Sequence, residues 1–196
     1  MFTNLRKLTA TTLLALTLTS GAFAENYKVD TAHSSVGFTV THLKISEVDG
    51  RFRDFSGDLV WDPKALGKSS IAFTVASNSV DTDNDKRDEH LRSADFFDVE
   101  KYPTLSFQSR EITALGSDRY TVKGDLTVHG VTKPVTFQAN IKGPVDAFGT
   151  PTLGFRAAFK INRIDYKIGD NWKGGSDAMV GHDVFLTIKG EASKAK

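Results

Sequence analysis

Cysteine is absent from this chain of 196 residues. The chain therefore forms no disulfide, and cysteine-ligated zinc, iron–sulfur clusters and thiolate catalysis are excluded. An excess of either charge is also missing, because 25 lysines and arginines face 24 aspartates and glutamates. Electrostatic binding to nucleic acid requires a basic surface that neutralises phosphates, so we expect no nucleic-acid partner.

Long apolar runs are scarce, and the one notable run lies at the start of the chain. Arg6 and Lys7 precede an uncharged stretch, and Ala22-Phe23-Ala24 offers small residues at both specificity positions of a signal peptidase. This layout predicts a secretory signal, residues 1–24, that is cleaved after Ala24. A retained anchor is disfavoured, because the run is shorter than the roughly 20 residues that span a bilayer and contains several threonines.

Removal of the signal would leave residues 25–196, a length that suits one domain with one core. The formal net charge would change from +1 to −1, because the removed segment contains two basic residues and no acidic ones. An exported chain without cysteine is typical of the bacterial periplasm, so we predict a periplasmic location.

Alternation of apolar and polar residues dominates the rest of the sequence. In residues 34–42, for example, Val36, Phe38, Val40 and His42 share one face. Such alternation predicts half-buried strands. Eight strands are predicted, at residues 34–42, 55–61, 69–76, 104–109, 119–130, 133–141, 152–161 and 182–190. The sequence therefore predicts an all-β fold, either an antiparallel sandwich or a closed barrel.

One polar stretch, DTDNDKRDEHLRSADFF at residues 81–97, interrupts the alternation. Its helix formers predict one short α-helix over residues 84–94, between the third and fourth predicted strands. Asp83 or Asp85 is the expected N-cap, because a carboxylate there accepts hydrogen bonds from the first backbone N–H groups.

A metal site in this stretch is disfavoured. Asp81, Asp83 and Asp85 have the spacing of a calcium loop, but Lys86 and Arg92 occupy the positions of its glycine and its bidentate glutamate. The five histidines contain no HExxH pair for zinc. We therefore predict no metal site, although histidines from separate strands could still converge.

A catalytic site is also disfavoured, because the chain lacks a G-x-S-x-G elbow or another local hydrolase motif. Two structural interpretations of the polar stretch stay open. Its helix, ending at Phe96 and Phe97, is either a lid over a binding cavity or a plug that fills the end of a barrel.

Several longer segments resemble the YceI-like polyisoprenoid-binding family. They are HSSVGFTVTHL, GRFRDFSGDL, SVDTDNDKRDEHLRSADFFDVEKYPTLSFQS, GDLTVHGVTKPVTF, FKINRIDYKIGDNW and VGHDVFLTIKGEA. The resemblance covers nearly all of residues 25–196. It implies a lipocalin-like, eight-stranded antiparallel barrel with one short helix, and a hydrophobic tunnel that holds a long isoprenoid chain.

The resemblance also implies which residues meet that chain. The inward phenylalanines are the candidates for the cavity wall: Phe38, Phe73, Phe107, Phe137 and Phe159. Taken singly, each of them is somewhat better explained as ordinary core, which is the default role of a buried aromatic residue. The candidates for a polar head group are His42, Arg87, His90, Arg92 and Arg163. No catalytic residue and no cofactor are implied, and the expected ligand is a polyprenyl phosphate, a polyprenyl diphosphate or an isoprenoid quinone.

The leading hypothesis is therefore a periplasmic carrier or store that sequesters an isoprenoid lipid and is not an enzyme. Two alternatives remain: an enzyme that acts on a hydrophobic substrate, and a stress-response protein with a filled barrel that acts through protein interaction. Transient contact with a membrane or with a lipid-handling protein is expected of a carrier. The sequence leaves a symmetric homodimer open, since that is the commonest oligomer, but marks no surface for it.

Overall fold

The computed structural model describes residues 24–172 and 177–196. All of the predicted signal segment except Ala24 lies outside the described residues, so the signal and the domain boundary after it stay predictions. The described part contains ten strands and one α-helix, α1, at Asp85–Arg92. The strands are β1 (Glu25–His42), β2 (Ser46–Phe52), β3 (Phe55–Trp61), β4 (Ser70–Ala76), β5 (Val80–Asp81), β6 (Thr104–Gly116), β7 (Arg119–Val128), β8 (Val131–Ala147), β9 (Thr150–Asn162) and β10 (Val180–Lys194). Short 3₁₀ turns lie at Leu66–Lys68, Ser77–Ser79 and Arg163–Tyr166.

Eight of the strands close into an antiparallel barrel, as predicted. Around the barrel the order is β1, β3, β4, β6, β7, β8, β9 and β10, and pairing between β10 and β1 closes the ring. The β1–β10 ladder runs from Tyr27 opposite Lys194 to His42 opposite Val180. Closure leaves no free edge along this seam and encloses the inward faces of all eight strands.

The two further strands, β2 and β5, lie outside the ring. The edge of β1 opposite β10 is shared by two strands. Glu25–Lys28 pairs with β3, and residues 36–42 pair with β2. β2 in turn pairs with the short β5 through Arg51 and Phe52. One end of the barrel is thus extended by a two-strand flap, which the alternation pattern did not predict.

Helix α1 lies between the third and fourth ring strands that the sequence predicted, now β4 and β6. The prediction of its N-cap was wrong. Asn84 is the N-cap, and its side-chain oxygen accepts from the backbone N–H of Arg87 at 3.0 Å. Asp85 is instead the first helical residue, while Asp83 adopts a left-handed conformation and donates its own N–H to Asp81. No helix in the described ranges is long and apolar enough to cross a bilayer.

The two ends of the barrel differ in packing. At the end that carries the β6–β7 and β8–β9 turns, a filled core includes Tyr27, Trp61 and Leu153, and Trp61 meets Tyr120 edge to face with ring centroids 5.0 Å apart. The other end carries α1 and the 3₁₀ turn Arg163–Tyr166 that follows β9. A barrel filled at one end only can hold a cavity that is approached from the other.

Candidate functional site: an apolar cavity

A cavity of about 210 Å³ runs along the interior of the barrel. It begins at Leu59 and Ile141, which lie next to the filled core. It ends at Val40, near the end of β1, and Val180, at the start of β10. The atoms that face the cavity are apolar. All five phenylalanines predicted for the wall line it: Phe38, Phe73, Phe107, Phe137 and Phe159.

The wall is built by the alternation of the strands. On β9, every second residue from Phe155 to Ile161 lines the cavity. The pair Ala139 and Ala157 lies directly across the β8–β9 ladder, and both residues border the cavity. Their small side chains occupy little of the space inside the barrel. The interior is therefore open where an ordinary core would be filled by larger residues.

Aromatic rings cover much of the wall and contact one another. Phe107 and Phe137 have centroids 5.4 Å apart, and Phe73 meets Phe155 edge to face at 5.9 Å. Aromatic contacts at such distances stabilise the rings beyond simple burial. The rings thus hold their positions without needing a guest in the cavity.

The segment from α1 to Phe97 covers the open end. Leu91, Phe96 and Phe97 all border the cavity. The ring of Phe97 meets Phe52 of β2 edge to face at 5.6 Å, and Phe96 packs against Trp172 at 5.4 Å. The helix therefore lies over a cavity and does not fill it, which is the arrangement of a lid. Whether this cover moves stays a prediction.

Two of the predicted head-group residues, Arg87 and Arg92, hold this cover in place. Arg92 donates to the carbonyl oxygens of Asn78 and Val80, at 2.8 and 2.7 Å. Arg87 donates to the hydroxyl and the carbonyl oxygen of Thr82, at 2.7 and 2.8 Å. Neither residue is among those that border the cavity. Their role toward a head group stays a prediction, whereas their role in fastening α1 is visible.

Asp88 fastens the same helix from its buried face. Only 5% exposed, it accepts from the backbone N–H of Thr82 at 2.9 Å and from the Thr82 hydroxyl at 2.5 Å. Sequence reasoning missed Asp88, because an aspartate among six acidic and basic neighbours gives no sign that it is buried.

His90 and His42 were also predicted to meet a head group. The His90 ring packs edge to face on Phe96, and its Nε2 lies 2.9 Å from Oδ2 of Asp95. Both side chains of that pair are about half exposed, outside the cavity wall. His42 is half-buried at the end of β1, two residues beyond the cavity-lining Val40. Their proposed role also stays a prediction.

Arg163 is the one head-group candidate that borders the cavity among the described residues. It is 3% exposed, and it donates to the carbonyl oxygens of Gly181, Ile168 and Val180 at 3.0, 2.7 and 2.9 Å. Burial lowers the pKa of its guanidinium, and the carboxylates of Asp177 and Asp170 act in the opposite direction. Arg163 thus ties the turn after β9 to the start of β10, and its guanidinium lies at the covered end without a polar atom open to the cavity.

Two of the three aspartates that resemble a calcium loop, Asp81 and Asp83, are held by arginines. Asp81 pairs with Arg53 and with Arg51, and Asp83 pairs with Arg51 at 2.8 Å. The backbone N–H of Asp83, followed by the two arginines, lowers the pKa of Asp81. Across residues 24–172 and 177–196, no group of three or more candidate ligands comes together for a metal ion.

The sequence matches the model of the YceI-like domain over residues 27–192. A UPF0312 protein of Vibrio parahaemolyticus is 40% identical over 158 residues, which cover 79% of this chain and 84% of that protein. Among solved structures, BcnA of Burkholderia cenocepacia has a TM-score of 0.75 at 25% identity and covers 86% of this chain and 99% of its own. A polyisoprenoid binding domain from Saccharophagus degradans, implicated in plant cell wall breakdown, has a TM-score of 0.67 at 18% identity, with 88% and 99% covered, and shows the shared fold alone.

Proposed function

This chain belongs to the YceI-like family, and from that premise we propose that it sequesters a long-chain isoprenoid lipid inside its barrel as a carrier or store. The observation that carries the proposal is the apolar cavity with its aromatic wall. A structural neighbour that is described as a polyisoprenoid binding domain supports the class of ligand.

The chemistry of the wall favours a hydrocarbon guest. Moving apolar surface out of water stabilises a complex by roughly 25 cal/mol per Å², or about 0.8 kcal/mol for each CH₂ group. A polar guest would lose hydrogen bonds to water and find few in return. The affinity of the site therefore grows with the length of apolar chain that enters it.

The head group would lie toward the covered end, where Arg163 borders the cavity. A phosphate or diphosphate would be attracted by the guanidinium charge, whereas a quinone would accept neutral hydrogen bonds. Both head groups are kept in the proposal, and the identity of the extracted lipid decides between them.

The proposed action is binding without covalent chemistry. The acid–base pair of His90 and Asp95 lies at the surface, outside the cavity wall, where it could not reach a buried chain. The open interior also argues against a filled barrel that acts only through its surface. The sequence of residues 1–24 supports the further proposal that the protein works in the periplasm.

Purification from the periplasm followed by native mass spectrometry and solvent extraction tests the proposal. We expect a stoichiometric isoprenoid to be released and identified. Replacement of Ala157 by Phe should obstruct the cavity and abolish this adduct. The matched control is Ala158→Phe, since Ala158 is the exposed neighbour on the outer face of the same strand.

An empty wild-type protein that also fails to take up added polyprenyl phosphate or ubiquinone would overturn the proposal. Equal lipid loading of the two alanine variants would overturn the assignment of the cavity as the binding site. Loss of lipid in Ala157→Phe alone, with unchanged folding, supports both.

A further inference from the structure

Three glycines, Gly57 and Gly124 on ring strands and Gly50 on the flap strand β2, lie against three of the phenylalanine rings. Gly50 is the ladder partner of Phe38, and Gly57 is the ladder partner of Phe73. Gly124 lies two residues before Leu126, the partner of Phe107, on the same inward face. The glycines thus belong to three different strands, and each is next to the strand that carries its ring.

The rings occupy the space in which a side chain at these glycines would stand. A Cβ built on Gly50 would lie 2.6 Å from Cε1 of Phe38. One built on Gly57 would lie 2.9 Å from Cε2 of Phe73 and 2.7 Å from Cγ2 of Val29, so Gly57→Ala displaces Val29 as well as the ring. A Cβ on Gly124 would lie 2.6 Å from Cζ of Phe107. Real Cβ atoms do not approach rings so closely, so each ring occupies space that only a glycine leaves free.

We propose that these three glycines set the bore of the cavity, and thereby the width of ligand that the barrel admits. A phenylalanine that lies on the wall covers a strand without filling the lumen, whereas a ring pushed away from the wall would stand in the lumen. Glycine weakens a strand interior, and one reason to keep it there is the close approach of another group. Here that group is an aromatic ring of the neighbouring strand, which shields the exposed backbone.

This inference rests on the proposed function, but its first test does not require the natural ligand. Crystals of wild type, Gly50→Ala and Gly57→Ala under xenon pressure report the dry volume directly, because apolar cavities take up xenon. We expect the rings of Phe38 and Phe73 to move into the lumen and xenon occupancy to fall in the respective variants. Gly124→Ala is a poorer probe, because its Cβ would also strike the backbone oxygen of Gln108.

Gly154→Ala is the matched control. Gly154 also lies in the interior of a ring strand, but a Cβ there would meet no atom within 4 Å. It faces outward, since its neighbour Phe155 lines the cavity. Its replacement therefore measures the effect of glycine to alanine in a strand without an effect on the bore.

The second test measures binding of all-trans-geranylgeraniol, a C20 isoprenoid alcohol, by native mass spectrometry. We expect at least a tenfold loss of affinity in Gly50→Ala, no change in Gly154→Ala, and recovery in the double variant Gly50→Ala with Phe38→Leu, because the shorter side chain makes room for the new methyl group. Should Gly50→Ala fail to fold, Gly57→Ala and the double variant carry the same comparison.

Two outcomes would overturn the proposal: unchanged xenon occupancy in Gly50→Ala and Gly57→Ala, or, when wild type binds the isoprenoid, affinities of these two variants equal to that of Gly154→Ala. Failure of the proposed function looks different. In that case wild-type crystals take up xenon and the glycine variants do not, but no variant binds the isoprenoid.

Discussion

The ring of Phe159 lies face to face with the ring of Phe137, with centroids 4.4 Å apart and planes inclined by 9°. The stack joins β8 to β9 inside the cavity, and Phe107 extends it toward β6. Three strands thus share one aromatic surface. A surface of this kind gives an isoprenoid chain broad apolar contact, and it also stabilises the empty barrel.

Truncation of this stack should separate stability from capacity. For Phe159→Ala we expect the free energy of unfolding to fall by about 3 kcal/mol, at the low end for aromatic truncations because the ring already borders a cavity. The cavity should grow at the same time. Urea denaturation and a crystal structure measure the two effects.

Phe185→Ala is the control, because Phe185 is 49% exposed on the outer face of β10. If Phe185→Ala lowered the free energy of unfolding as much as Phe159→Ala, the assignment of the stack as the stabilising feature would be contradicted.

Arg163 provides a prediction about buried hydrogen bonds. Arg163→Met removes the donors to Gly181, Ile168 and Val180. An unsatisfied buried acceptor costs about 1–3 kcal/mol, so we expect a loss of at least about 2 kcal/mol in the free energy of unfolding. Chemical denaturation measures it.

Arg119→Met, an exposed position on β7, serves for comparison and should change stability by less than about 0.5 kcal/mol. If both variants unfold at the same denaturant concentration, the bonds of Arg163 contribute nothing to the fold.

Strand periodicity predicted the ring of the barrel, because a half-buried strand must alternate. The same principle explains the omissions. In β2, SEVDGRF, the inward face consists of Val48, Gly50 and Phe52, and the glycine interrupts the apolar pattern. β5 has two residues, too few for any period.

The candidate site was predictable in its wall and not in its polar groups. An inward phenylalanine on a closed barrel faces the interior, so alternation placed Phe38 and Phe137 on the inward face, and the family resemblance supplied the tunnel that they line. The partner of an arginine depends on which backbone carbonyls come near it in space. No local pattern links Arg92 to Asn78 and Val80, or Arg163 to Gly181.

Two buried tyrosines predict a loss of stability in alkali. Burial is the main cause that raises the pKa of Tyr27 and of Tyr166 to about 12, compared with an ordinary value near 10. Between these values the folded state keeps protons that the unfolded state has lost. The free energy of unfolding therefore falls as pH rises from about 10 to 12. Below pH 10 these two groups contribute no pH dependence.

Absorbance of tyrosinate against pH checks this prediction. Part of the signal should appear only near pH 12, and Tyr166→Phe should remove about half of that late part. Titration of all four tyrosines near pH 10 in the folded protein would contradict it.

The anchoring of α1 leads to the last prediction, which concerns the cover of the cavity. Asp88→Ala leaves the N–H and hydroxyl of Thr82 without their buried acceptor, which costs about 1–3 kcal/mol. We expect this cost to appear locally, because the hydrogen-bonding partners that anchor α1 lie in the adjoining residues 78–82 and local opening requires less free energy than global unfolding. Hydrogen exchange of the α1 amides should therefore accelerate by at least tenfold, while exchange in β8 and β9 stays slow. Glu89→Ala, an exposed change on the same helix, should leave both exchange rates unchanged.

If α1 is a lid, Asp88→Ala should also raise the rates at which an isoprenoid enters and leaves by similar factors, with little change in affinity. Faster exchange of α1 without any change in either rate would mean that the helix is a fixed cover and that the ligand enters by another route.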